Sequence, residues 1–568
     1  MADGGTMSVL DRDVSVSVET ASPRERVQAR SWLVHVVVLG LLLLVSSQLL
    51  GPGTYTYDES AYRAQTTQLV DEGTWAVPIV PGPSGITTLY APLALSDVQP
   101  DGWFPYARHA AYPTALAVID PLAPGQGGLL LSALSLIVVA LVSGLATDRL
   151  PAVDGRLGFW LAASASPFLI HAHIGWAHLP ATAAFAAAVA IIHHADRWSV
   201  VNAVAVAGCI FGVILLRTEG LVASAALFGA VALVQRSRPD WLRWLGTIGL
   251  STCAAFALDR ILFEWATGSV SFAPTGTAGV VEGVVTQRLQ AATALFLDVG
   301  GQTPQHVARL LAALLLLTAA VLVRRRMELG LVVIISVLGL GLGLYGSAIG
   351  DPYAGLFAAW PVLLPALVLC RPAAAHRFPL AVLGLTWAGL VLVSPPDGGG
   401  LGWAGRLALI TLAVAVPTVA QAVNTLRSRE SMATGAGIVM GAALLLSLVV
   451  SVVGLAKIDS SRETATVIEE QVRSALAPLV GSNDVLISTD RRLGRSAPDV
   501  AVLLPLQSMS DDSELAEFLE MVDAASITRV VHIDFFDNDE PVIPTGWQAN
   551  EATLDQSIRT IVIERMPS

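Results

Sequence analysis

Residues 32–63 read WLVHVVVLGLLLLVSSQLLGPGTYTYDESAYR, and the join between the two halves of this stretch decides what kind of protein this is. From Trp32 to Leu50 there is no Asp, Glu, Lys or Arg. Wound as a helix, a run of that length matches the hydrocarbon core of a bilayer, about 30 Å thick. The pattern stops at Gly51-Pro52-Gly53, and Tyr55, Tyr57, Asp58, Glu59, Tyr62 and Arg63 follow at once. Aromatic rings of this kind collect where hydrocarbon meets water, so the acidic pair Asp58-Glu59 is expected at a membrane surface. The apolar run is longer than the core of a signal peptide and is followed by no small-residue cleavage site, which predicts a retained first helix. Residues 1–31 mix Asp, Ser and Arg without apolar periodicity and are expected as a disordered cytoplasmic tail.

The same pattern recurs along the chain. Of the 568 residues 54% are hydrophobic and only 14% charged, with a mean hydropathy of +0.64. So much apolar surface has no place in one water-soluble core. Apolar runs near 32–50, 128–147, 157–171, 179–195, 200–216, 220–235, 244–263, 306–323, 329–348, 354–370, 378–394, 403–423 and 433–456 predict about thirteen transmembrane helices. No barrel-like alternation is present, so the fold class is a polytopic α-helical membrane protein. Cys209, Cys253 and Cys370 fall inside these runs and imply no disulfide framework.

Arginine sets the orientation. Arg24, Arg26 and Arg30, Arg149 and Arg156, Arg197, Arg236, Arg238 and Arg243, Arg324 to Arg326, Arg371 and Arg377, and Arg427 and Arg429 fall in alternate loops. The positive-inside rule assigns those loops to the cytoplasm. With an odd number of spans the C-terminal segment lies outside. Residues 457–568 hold about 20 acidic and 9 basic groups, against a net charge of −12 for the whole chain, so the acidity belongs to this tail. Expected strands at 484–489, 527–534 and 559–565 and a helix at 513–525 make it a small C-terminal extracytoplasmic α/β domain. The chain thus divides into residues 1–31, a membrane domain 32–456 and an acidic domain 457–568. A large first external loop, 51–127, and a second, 263–305, are long enough to imply function. The composition points to no nucleic-acid partner.

The acidic pair has two readings. Asp58 can cap the helix that follows it, or it can take a proton from a hydroxyl that reaches the interface, with Glu59 holding it or the acceptor.

The run Asp58-Glu59, Tyr62, Gly73-Thr74-Trp75 and Pro78 resembles the start of the first external loop of GT-C type membrane glycosyltransferases, in the branch of the protein O-mannosyltransferases and the lipid A aminoarabinose transferases. That branch has a Gly-Asp-Trp-like turn where this chain has Gly-Thr-Trp. Arg108-His109-Ala110-Ala111-Tyr112-Pro113, Ala163 to Pro180, Leu216-Arg217-Thr218-Glu219-Gly220, and Trp360 to Leu369 with Pro361 and Pro365 follow in the order of the family's segments. Two departures stand out. His178, after His171, His173 and Trp176, occupies the place of an acidic residue, and the arginine expected before the late Leu-Leu-Pro is absent, with Asp351 and Tyr353 nearby.

The resemblance implies a GT-C-like fold. It also implies a polyprenyl-phosphate sugar donor in the plasma membrane and a glycan, lipid or protein acceptor of the cell envelope, for a mannosyltransferase or another hexosyl- or pentosyltransferase of cell wall biogenesis. Asp58 would be the base of an inverting transfer, and Arg63, Arg108, His109 and Arg217 would bind the donor phosphate. His173, His178, Glu219 and Asp351 would contact acceptor or metal, a divalent metal being held, if at all, by Asp58 and His178 with the neighbouring histidines. Two rival readings remain: a transporter or flippase of envelope lipids, and a catalytically silent assembly scaffold. Reporter fusions at residues 20, 100, 325 and 568 are expected to read inside, outside, inside and outside. An inside signal at 568 would reveal a miscounted span.

Overall fold

The computed structural model describes residues 23–50, 57–74, 76–78, 103–105, 109–267, 284–297, 304–349, 355–370, 376–394, 406–424, 431–476, 485–488, 503–505, 519–520, 528–535, 543–555 and 558–566. Helix α1 (Pro23–Leu49) leads to α2 (Tyr57–Glu72), the antiparallel pair β1 (Ala76–Pro78) and β2 (Trp103–Pro105), and α3 (Ala111–Ile119). Among the described residues the segment between α1 and α4, expected as the first external loop, thus carries α2, α3 and a two-stranded ribbon. Residues 23–31, expected as disordered tail, continue α1, since adding a turn to an existing helix is far easier than starting one.

Every predicted apolar run is helical: α4 (Gly127–Asp148), α5 (Gly155–Ser164), α6 (Ser166–Ala172), α7 (His178–His194), α8 (Val200–Leu216), α9 (Glu219–Val234), α10 (Trp241–Thr267), α12 (Pro304–Arg324), α13 (Leu329–Ile349), α14 (Leu356–Ala359), α15 (Leu363–Leu369), α16 (Arg377–Val393), α17 (Leu409–Asn424) and α18 (Ser431–Leu476). Among the described residues six helices are long and apolar enough to cross a membrane, and five shorter apolar helices join them. Helix α17 is buried on nearly every side, as a helix apolar all round must be. With α4 and α7 it forms the centre of the bundle. One helix was not expected: α11 (Val284–Phe296), in the second long loop, where Arg288 donates to the carbonyls of Leu392 and Ser394 at 2.6 and 2.9 Å and closes the end of α16.

Two expected spans, 157–171 and 354–370, are not single helices. Ala165 is extended at the α5–α6 junction, just ahead of Pro167. Trp360, forced out of helical conformation by Pro361, separates α14 from α15. Buried serines take up the groups thus freed. Ser166 donates to the Ala359 carbonyl, Ser447 accepts from the Val362 amide at 3.4 Å, and Ser451 donates to the Ser164 carbonyl at 3.4 Å. Irregular backbone survives at membrane depth only when it is bonded in this way.

At the opposite end of the bundle from α2, the arginines that set the topology cap helices. Arg149 donates to the carbonyl of His194, and Arg238 to those of Ile192 and Ala195, so the last carbonyls of α7 are satisfied and its dipole neutralised. Arg324 does the same for Val368 of α15.

Helix α18 does not stop at residue 457 but runs on to Leu476, where it packs against the C-terminal sheet. The strands β3 (Val485–Ser488), β4 (Leu503–Pro505), β5 (Arg529–Phe535), β6 (Trp547–Asp555) and β7 (Ile558–Arg565) lie in the order β4-β3-β5-β7-β6. The first three are parallel and the last pairings antiparallel, with Val530, Val531 and Ile563 buried. The helix expected at 513–525 lies largely outside the described residues.

Helices α4 and α5 meet through glycines. A Cβ on Gly155 would stand 2.8 Å from the Gly144 carbonyl oxygen, and one on Gly158 would overlap the Thr147 side chain. Gly158→Val should therefore lower stability by about 1–3 kcal/mol. Gly208→Ala, at an open position, should not. Thermal unfolding in nanodiscs checks both; a Gly158→Val protein melting with the parent would show that α5 can move away from α4 freely.

Candidate active site

Glu59 of the acidic pair is buried. It stands in the first turn of α2, and its Oε1 accepts the Gly175 amide at 2.6 Å across to the turn between α6 and α7. Gly175 is required there, since a Cβ would crowd that oxygen at 3.2 Å and the Gly128 backbone behind it. Asp58 precedes Glu59 on α2, and its side chain lies outside the described residues, as do Arg108 and Asp351.

Beside Glu59, Tyr62 packs edge-on against Tyr112 of α3, with centroids 4.7 Å apart. Burial pushes the Tyr112 phenol well above its ordinary range, with the Tyr62 and Glu59 charges adding to the effect, so it stays a hydroxyl. That buried hydroxyl has no hydrogen-bond partner among the described residues.

On the other side of Gly175 the rings of His171, Trp176 and His178 cluster, with centroids 5.1 to 5.7 Å apart. His178 is 7% exposed, and neither ring nitrogen has a hydrogen-bond partner among the described residues. Two cations act on it, Arg217 and Arg406. Arg217 holds Glu219 by two contacts, at 2.7 and 3.1 Å. Arg406, in the turn before α17, stands 5.8 Å from the centroid of the Trp176 ring. Two guanidinium groups, an imidazole and a phenol in this region are of the kinds that bind an anion with several oxygen atoms.

Other sequence candidates serve elsewhere. His173 has both ring nitrogens engaged: Nδ1 donates to the Leu169 carbonyl at 2.9 Å, and Nε2 accepts from Ser46 of α1 at 2.8 Å. Burial, with the charge of Arg462 also acting, pushes it below the usual imidazole range although the Leu169 bond works the other way. His173 is a neutral brace, not the acceptor or metal contact expected of it. His109 bonds Asp259 of α10 through Nδ1 at 2.9 Å, and Arg260 also bonds Asp259. Arg63 is exposed, its guanidinium beside the turn at Gly125. The structure gives neither His109 nor Arg63 a contact with the His178 cluster. The described groups around His178 do not suit a divalent metal, because Arg217 and Arg406 repel a cation there. Among the described residues no group of three His, Cys, Asp or Glu is placed to hold one.

Sequence reading missed Arg406 and Arg462. Arg406 fell inside the predicted span 403–423, where an arginine within an apolar run is itself a sign of function. Arg462 was counted with the acidic tail. In the structure it comes off α18 into the bundle, 1% exposed, and donates to the carbonyls of His173 and Leu50 at 2.7 and 3.2 Å.

The structure separates groups that hold the fold from groups left for a ligand, and stability measurements can tell them apart. Glu59→Ala should cost about 1–3 kcal/mol, because it leaves the buried Gly175 amide without its acceptor. Tyr112→Phe should melt at or above the parent temperature, since the lost hydroxyl bonds nothing described. A clear drop for Tyr112→Phe would give that phenol a structural partner.

No protein-family model matches the sequence and no curated protein matches it significantly. Among solved structures, the fold is similar to that of ArnT from Cupriavidus metallidurans bound to undecaprenyl phosphate. The TM-score is 0.51 at 11% identity, over 94% of this chain and 98% of that one. The archaeal oligosaccharyltransferase AglB from Archaeoglobus fulgidus, in complex with an inhibitory peptide and a dolichol-phosphate, matches with a TM-score of 0.44 at 13% identity over 88% of this chain and 69% of that one. The chain is a membrane protein with the GT-C fold.

Proposed function

On this fold we propose that the chain is a membrane glycosyltransferase, moving a sugar from a polyprenyl-phosphate carrier to a cell-envelope acceptor on the extracytoplasmic side. The observation that carries the reading is that buried His178, acted on by the charges of Arg217 and Arg406, and the acidic first turn of α2 meet at the turn Gly175-Trp176-Ala177-His178. ArnT, which shares the fold, was solved with undecaprenyl phosphate. A lipid-linked phosphate sugar is a ligand that such a site can take, with its chain among the helices and its headgroup at the interface.

The reaction divides among these groups. The acceptor hydroxyl attacks the anomeric carbon while Asp58 takes its proton, and the carbon–oxygen bond to phosphate breaks with inversion. The electron pair leaves on the polyprenyl phosphate, whose charge Arg217 and Arg406 stabilise. His178 and the Tyr112 hydroxyl are in place to bond its oxygens or the sugar. Glu59, spent on the Gly175 amide, orients the turn that carries Asp58. The C-terminal sheet, beyond α18, lies outside the membrane at the same end.

The broken helices α5–α6 and α14–α15 are the one feature that favours a transporter, since such breaks form ion and substrate sites in that class. Here their freed groups are bonded by Ser166, Ser447 and Ser451, which supports the enzyme reading. The test is to incubate the purified protein in nanodiscs with a panel of radiolabelled polyprenyl-phosphate sugars and envelope extract. Asp58→Asn, which keeps size and capping ability, should lose about 10²- to 10⁴-fold in rate at unchanged melting temperature. Arg217→Gln and Arg406→Gln should each weaken use of the donor. Transfer by Asp58→Asn at the parent rate would reduce Asp58 to a helix cap; no transfer by the parent from any donor would put the transporter ahead.

A further inference from the structure

We infer that Arg462 is a positioning residue for this site, tying the end of α1 to the α6–α7 turn that the first turn of α2 bonds through Glu59. The inference rests on the glycosyltransferase reading for what the site does, and on α18 for how Arg462 acts. Helix α18 leaves the bundle beneath the turn that carries Trp176, where Leu455 and Ile458 pack against Ile170, Ile174, Trp176 and Tyr62. Arg462 follows Ile458 by four residues and so lies on the same face of the helix. Its guanidinium spans two segments far apart in the chain, bonding the carbonyl of Leu50, the last residue before the first loop, and that of His173, the C-cap of α6. Glu59 lies within its electrostatic reach, with Asp459 as the second acidic group acting on it.

A guanidinium at 1% exposure is costly unless its charge and its donors are answered. The groups that answer it are the ones that define the site's frame. Glu59, whose charge acts on Arg462, accepts the Gly175 amide two residues beyond the His173 carbonyl that Arg462 bonds, so α18 and the first turn of α2 meet on one turn. Release of Arg462 would loosen the turn at His173 and, through the Gly175–Glu59 bond, shift α2 and the position of Asp58. A displacement of about 1 Å between reacting groups is enough to cost on the order of 10²-fold in rate.

The test uses the full chain in nanodiscs as Arg462→Gln, Arg462→Lys and, as control, Glu463→Gln at an exposed position of the same turn. Hydrogen exchange is followed in peptides covering residues 57–72 and 173–178, and initial rates of sugar transfer are measured against donor concentration. Arg462→Gln should speed exchange in those two segments, the Gly175 amide above all, while α4 and the strands β5 and β7 keep the protection of the parent. It should lower kcat per folded molecule on the order of 10²-fold with KM for the donor unchanged. Arg462→Lys, which keeps the charge and one donor direction, should recover part of both, and Glu463→Gln should match the parent. Unchanged exchange in the two segments, or exchange raised evenly through the chain, would overturn the assignment. So would a rise in KM with kcat intact. If the parent transfers no sugar, the glycosyltransferase reading fails, and the exchange measurements alone decide whether Arg462 holds the two segments together.

Discussion

Every backbone amide and carbonyl in the hydrocarbon core needs a hydrogen-bond partner that the solvent does not supply. The helices provide nearly all of these bonds internally, and what remains is concentrated at helix ends and at the two breaks. At the breaks the partners are hydroxyls: Ser166 reaches the Ala359 carbonyl, and Ser447 and Ser451, one turn apart on α18, reach Val362 and Ser164. The second break thus sits against the first, and α18 locks both from one side. At helix ends the partners are arginines. Arg149, Arg238 and Arg324 bond terminal carbonyls at one end of the bundle, and Arg288 closes α16.

The same economy governs the site, where low dielectric makes an answered charge strong and an unanswered one expensive. Glu59 accepts the Gly175 amide, Arg462 bonds the carbonyls of His173 and Leu50, and the His173 ring bonds Leu169 and Ser46, which joins α1, α2 and α18 to the α6–α7 turn. Arg217 pairs with Glu219. Tyr112 and His178 are buried with hydrogen-bonding capacity unused by the described residues. Buried polar groups are rarely left so in proteins. Their placement on either side of Gly175, with Arg406 above Trp176, is what separates a ligand site from a well-knit corner of the bundle. Glycine at 175 and at 128 is part of that arrangement, since two backbones and a carboxylate meet where a side chain would stand.

The sequence by itself determined the class of fold, the helices and the acidic pair at the surface, because those depend on local quantities. Apolar length against bilayer thickness marks each helix, the arginine pattern marks the loops, and strand alternation found β3, β5 and β7 in the tail. The same local patterns were silent on the breaks at Ala165 and Trp360, since composition averages over a proline that interrupts an apolar run. They also passed over α11, whose Arg288 bonds carbonyls at the end of α16, far along the chain. Only the tertiary structure decided which polar residues are spent and which are free. His171, His173 and His178 look alike in sequence, yet His173 is bonded at both nitrogens and His178 at neither. Arg406 and Arg462 sat inside an apolar run and an acidic tail, and folding brought them to the Trp176 ring and to the His173 carbonyl. Burial and partnership belong to pairs of residues distant in the chain, and no single stretch of sequence contains them.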